Sequence, residues 1–358
     1  MRKRIFLQVS VTALATFLIF GCAKKKGATG QNPEKRTVEV VKRKTLNKGA
    51  ETAGKARGTS KLWQISTGSG YYSFPAWSPD GKKIAYTDYQ DGKQNILVVE
   101  VGKDGRPKGT PVNITNSHSI DEHPSWSPDG KKLVFDSNRD GGKRELFVID
   151  ANGDNPKLLY RHQTKNGLKE SFHPSWSPDG EIIAFVAENN IWVIGKEGKN
   201  SPVRITSFGY NDYPSWSPDG TQIAFYSNNA IKLIKADGSE NPKTLTGTGG
   251  LKSNFPGWSS FPAWSPDGKK IAFVSNRKKM LESKEVKYYD LWIVNADGTG
   301  KAEYLTNDRH RESFPAWSPQ GDKLAFQSNR NNGFYIWGIS LPANYSVAKS
   351  NVKNKIKK

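Results

Sequence analysis

Six times between residues 74 and 321 the chain repeats one eight-residue phrase. It stands at Phe74–Gly81 (FPAWSPDG), His123–Gly130 and His173–Gly180 (both HPSWSPDG), Tyr213–Gly220 (YPSWSPDG), Phe261–Gly268 (FPAWSPDG) and Phe314–Gly321 (FPAWSPQG). The tryptophans Trp77, Trp126, Trp176, Trp216, Trp264 and Trp317 are 49, 50, 40, 48 and 53 residues apart. A unit of this length cannot bury both of its faces alone, so it must stack on copies of itself.

Each unit reads as four strands, A to D. Aromatic-Pro-x-Trp is strand A. Ser-Pro-Asp-Gly turns the chain, with Pro fixing φ and Gly accepting positive φ. Seven residues after each Trp an apolar triplet opens strand B, from Ile84–Ala85–Tyr86 to Leu324–Ala325–Phe326. Strand C follows, as in Leu146–Ile149, Ile191–Ile194 and Leu291–Val294, and then a turn such as Asp104–Gly105, Asn152–Gly153 or Asp297–Gly298. Strand D is expected at Asn113–Thr115, Arg204–Thr206, Thr244–Thr246 and Tyr304–Thr306. Six such units predict an all-β chain, a six-bladed β-propeller of four-stranded antiparallel blades. Phe255–Ser259 (FPGWS) imitates the motif, but Trp258 stands six residues before Trp264, so it is an insertion. The six motif tryptophans are expected to be structural wedges between blades.

The sixth unit stops after its strand C, Tyr335–Ile339. Ile65 precedes Trp77 by 12 residues, as Ile114 precedes Trp126 and Leu305 precedes Trp317. The last blade is therefore expected to be closed by the N-terminal strand 62–67, which removes an open sheet edge. The propeller is expected over 61–340.

Outside it the chain is basic. Residues 1–60 and 341–358 carry +16 of the +20 net charge, which leaves +4 for the propeller. Arg2–Lys3–Arg4 precede an apolar run, Ile5–Phe20, that ends at Gly21 and the single cysteine, Cys22. This reads as a secretion leader over 1–21, too short to span a bilayer. It resembles a bacterial lipobox, which implies lipidation of Cys22. With Ala23 rather than Asp after the cysteine, the resemblance implies the outer membrane, facing the periplasm. Residues 22–60 read as a lipidated, disordered basic tether and 341–358 as a basic disordered tail. Arms beside a lipid anchor suit anionic headgroups, and no nucleic-acid motif accompanies the charge, so no specific nucleic-acid partner is expected.

The repeat resembles the TolB-like β-propeller repeat family, centred on Pro-x-Trp-Ser-Pro-Asp-Gly. The resemblance covers 61–340 and implies an envelope role with a protein partner, Pal-like or other. The Tol-Pal component carries an α/β domain ahead of its propeller, and here a short tether stands in that place. Related repeats also occur in oligogalacturonate lyases, so a polysaccharide-binding or lyase-like propeller is the alternative.

In such a blade the A–B and C–D turns lie on one face and the B–C and D–A loops on the other. The first set is nearly uniform and the second varies, which makes the second the candidate binding rim. From the D–A loops come Glu122, His123, His173, Asp212, Tyr213, Trp258, Arg309, His310, Arg311 and Glu312, and from the B–C loops Asn138, Arg139, Arg277 and Arg330. His123 and His173 fill the slot that is Phe or Tyr elsewhere, which favours packing. The recurring Ser-Asn-Arg steps favour arginines that brace their own loops. No metal, cofactor, catalytic residue or enzyme activity is expected, and a monomer is. Trp258 is expected as a partly exposed anchor, with plugging the channel or packing on Trp264 as the competing outcome.

Overall fold

A computed structural model of the chain describes residues 61–246, 258–276 and 289–342. The leader 1–21, Cys22, the tether to residue 60, Arg277 and the tail from residue 343 lie outside the described residues.

The repeated turn shows why the motif has its spelling. In blade 1 the Ser78 hydroxyl donates to Asp80 Oδ1 at 2.7 Å and accepts the Lys83 N–H at 2.9 Å. Asp80 Oδ1 also accepts the Lys82 N–H at 3.0 Å, and Gly81 takes φ +70°. The same bonds recur at Ser127–Asp129, Ser177–Asp179, Ser217–Asp219 and Ser265–Asp267. The serine hydroxyls hold the carboxyls of Asp80, Asp129, Asp179 and Asp219 below their usual range. Blade six has Gln320 instead, and Asp322 takes the Ser318 hydroxyl at 3.0 Å.

The chain forms six four-stranded antiparallel sheets arranged as a six-bladed propeller. Strands A begin at Tyr71, Asp121, Ser171, Asn211, Ser259 and Glu312, and each ends on its motif tryptophan. Strand B is the most buried of each blade. Tyr86, Phe135, Phe185, Phe225, Phe273 and Phe326 have no exposed surface.

The core lies between blades. Ala85, Ile96, Val98 and Ile114 of blade 1 pack with Trp126, Leu133, Phe135 and Phe147 of blade 2. Trp126, Trp216 and Trp317 donate across the seam to the carbonyls of Ala76, Ser175 and Ala263 at 3.0–3.1 Å. An indole burying about 200 Å² contributes roughly 5 kcal/mol before entropy at ~25 cal/mol per Å².

Strand D ends earlier than its spelling suggests. The strands are Pro107–Asn113, Lys157–Tyr160, Val203–Arg204, Lys243–Thr244 and Glu303–Tyr304. The Ile-Thr or Leu-Thr pair after four of them leaves the regular strand, though its first N–H still donates to strand C at 2.7–3.0 Å. The side chains of Ile114, Ile205 and Leu245 go into the core. The hydroxyls of Thr115, Thr206, Thr246 and Thr306 accept the N–H groups of Ile96, Ile191, Ile231 and Leu291, each at 2.9 Å.

Blade six obeys the same rule with a strand from the other end of the chain. Leu62–Gln64 pairs with Tyr335–Ser340 in the register Leu62↔Ile339, Trp63↔Gly338 and Gln64↔Trp337. Ile65 is buried, and Ser66 Oγ accepts the Ile336 N–H at 2.9 Å, the place threonine holds elsewhere. Trp63 lies on Gly338, where a Cβ would meet its ring at 2.2 Å, and donates to the Gly105 carbonyl of blade 1 at 2.9 Å. The first strand thus closes the last blade and also fastens it to the first.

Candidate functional site

Every strand A breaks its pairing with strand B at one place, between Ser73 and Ala76 in blade 1 and at the matching step in the other five. The first motif residue sits in this bulge at positive φ. Phe74, His123, His173, Tyr213, Phe261 and Phe314 all lie between +52° and +57°. A side chain in that region costs on the order of 1 kcal/mol or more, and here the same conformation is held six times. The bulge also puts all six rings at the axis.

There they make a closed collar. Centroids are 3.9 Å apart for Phe74–His123 and His123–His173, 4.1 Å for His173–Tyr213, 4.6 Å for Tyr213–Phe261, 4.3 Å for Phe261–Phe314 and 4.1 Å for Phe314–Phe74. With the prolines that follow them, these rings line a cavity of about 160 Å³ open to solvent.

Beside the two imidazoles lies a buried charge network. His123 Nδ1 meets Asp136 Oδ1 at 2.6 Å, and the same oxygen accepts the His173 backbone N–H at 3.2 Å. Arg144 bridges Asp136 Oδ2, at 3.2 Å, and Glu122, which also accepts the Tyr89 hydroxyl. His173 Nδ1 pairs with Asp212, whose oxygens accept the Tyr213 N–H at 2.8 Å and the Tyr210 hydroxyl at 3.2 Å. Burial, reinforced by His173, pushes the His123 pKa well below the ordinary imidazole value. Burial raises Asp136 to about 6. Ionised at neutral pH, Asp136 can only accept, so His123 donates to it from Nδ1. Glu122, His123 and Asp136 place ligand atoms within 4.8 Å of one another, and Arg144 spans both carboxylates, offsetting one of their two charges.

The rim residues expected from sequence fall into several places. Glu122, His123, His173, Asp212 and Tyr213 come together at the axis. Glu122, His123, His173 and Asp212 are buried, so they do not form an exposed contact surface. Glu312 is also buried, and Arg330 bridges it to Asp308 at 2.7 and 2.6 Å. His310 Nδ1 meets Asp308 at 2.9 Å, and Arg311 lies over Tyr289 at 5.3 Å. Arg139 holds Asp121 at 2.9 Å and lies over Phe135 and Phe147. Arg139 and Arg330 thus tie their B–C loops to strand A of the same blade. Asn138 Oδ1 accepts the Ile120 N–H at 2.8 Å. Trp258 is half-buried, 5.6 Å from Phe261 and 5.1 Å from Tyr289, which joins it to the outside of the collar. Arg309 is exposed.

Sequence reading missed Asp136, Arg144 and Phe208. Asp136 had a signal: it is the charged residue in a strand-B slot that is otherwise Thr87, Val186, Tyr226, Val274 or Gln327. Phe208, in the loop between blades 3 and 4, is 89% exposed. The loop between blades 2 and 3 adds a hairpin, His162–Thr164 with Gly167–Lys169, seated by His162 against Trp192 at 5.0 Å.

The family model of the TolB beta propeller domain matches residues 55–261. A putative TolB from Agrobacterium tumefaciens is similar at 24% identity and a TM-score of 0.53, over 79% of this chain and 98% of that one. TolB from Acinetobacter baumannii gives 23% and 0.51, over 70% of this chain and 57% of that one. The oligogalacturonate lyase of Vibrio parahaemolyticus gives 15% and 0.52, over 80% and 94%. At these identities the likeness to solved structures is one of fold. No curated protein matches the sequence.

Proposed function

From the premise that the chain belongs to the TolB β-propeller family, we propose that it is a non-catalytic, lipid-anchored envelope protein whose propeller binds protein partners. Cys22 at the end of the leader supports the anchor, and a basic segment links it to a closed, rigid ring. On one face of that ring the turns are chemically alike and offer little to tell blades apart. The opposite rim differs blade by blade, with an added hairpin at 162–169 and Phe208 in the loop to blade 4.

Phe208 carries the reading. An aromatic side chain left 89% exposed on a tight loop gains nothing from the fold and suits an interface anchor. The sugar-active alternative is less well supported by the axis, where ring contacts leave only about 160 Å³. Ligand pockets usually hold about 300–1,000 Å³.

Crosslinked envelopes provide the test. Wild-type protein should capture a discrete protein partner, and Phe208→Asp should cut recovery about ten-fold or more without changing the melting temperature. Equal capture by both variants, or binding to a glycan array with no protein recovered, would refute the proposal.

A further inference from the structure

We propose that the axial cavity receives a primary ammonium group, the tip of a lysine side chain or an amino terminus presented by the partner. The inference rests on the partner-binding reading of the propeller and names the chemistry that its axis would recognise.

Three adjacent members of the collar carry polar atoms with no hydrogen-bond partner in the protein. His123 and His173 are 8% and 7% exposed, line the cavity, and are each engaged through Nδ1 by a carboxylate. Among the described residues neither Nε2 has a partner, and neither has the Tyr213 hydroxyl. A neutral imidazole whose Nδ1–H is given to an aspartate presents a lone pair at Nε2. His123, held neutral by burial, thus offers an acceptor nitrogen beside the Tyr213 phenol oxygen, and an ammonium has N–H donors to match them.

Charge and shape agree with this. Glu122, Asp136 and Asp212 lie beside the rings with one guanidinium, Arg144, so the surroundings carry surplus negative charge. Ring faces of Phe74, Phe261 and Phe314 attract a cation at close range. The same field repels a carboxylate or phosphate. The volume fits a side-chain tip and little more.

The test uses the full chain with ¹³C-labelled histidine, titrated with n-butylammonium and, as neutral isostere, n-butanol. Saturable shifts should be confined to His123 and His173 among the five histidines. The ammonium should bind about ten-fold or more tightly than the alcohol. His173→Phe, which places in blade 3 the residue of blades 1, 5 and 6, should abolish binding. Should that variant melt early, Tyr213→Phe keeps the ring and should still weaken binding several-fold. An equal response to n-butanol, no saturable shift, or tighter binding of Zn²⁺ at the same two histidines would overturn the proposal. The probe needs no partner, so failure of the envelope capture and failure of this site are separate results.

Discussion

His123 stands where blades 1, 5 and 6 carry phenylalanine, and the exchange puts a titratable group into a closed aromatic ring. In the unfolded chain its imidazole gains a proton below about 6.5, whereas in the fold burial keeps it neutral. Below that pH the unfolded state binds more protons, so this residue withdraws stability as pH falls. Asp136 acts in the opposite sense. Between its ordinary 3.8 and about 6 the folded state holds the extra proton, so its share of stability is lost as pH rises through that window. His123→Phe deletes the first effect and leaves Asp136 bonded to Arg144 and the His173 N–H. Denaturant midpoints at pH 7 and 5.5 should show the variant losing less stability than wild type, by on the order of 1 kcal/mol. Parallel pH profiles for the two proteins would contradict the assignment. Part of this site was legible beforehand. Strand A spells both histidines inside a repeated slot, but the partners Asp136 and Arg144 come from strand B and a loop. The bulge that turns the rings to the axis depends on backbone φ, which the letters do not display.

Among the elements, the closing strand shows how far spacing can be read. The 12-residue interval from Ile65 to Trp77 matched that of the other blades, and Ile65 takes the buried place it implied. The ends of strand D were not legible, because Ile-Thr pairs suit a ladder by propensity. In the fold their isoleucines enter the core and their hydroxyls cap strand C. Removing residues 61–67 would strip blade six of its outer strand, orphan the Ile336 N–H and empty the Trp63 site. A loss of several kcal/mol is expected from the tryptophan alone. Deleting residues 23–55 should leave the melting temperature unchanged. Equal melting temperatures for the two truncations would show that the clasp contributes nothing.

At the scale of the whole molecule, charge and fold occupy different parts of the chain. The propeller is near neutral and the segments around it hold most of the +20. Lipidation of Cys22 is checked by Cys22→Ser, which should release the protein from the membrane and change its gel mobility. No change in either would end the anchor reading. The strand that closes the ring has a further consequence, one of time. Lys61 donates to Ser340 across 279 residues of chain, whereas strands A, B and C of each blade are joined by neighbouring segments. Loop-closure entropy makes such a distant pairing slow to find. The strand synthesised first must wait, unpaired, until the strand made last is available, so no part-length chain can complete the circle. If the chain crosses a membrane as an open thread, as the proposed anchor requires, that delay keeps the ring unclosed until the whole propeller has crossed.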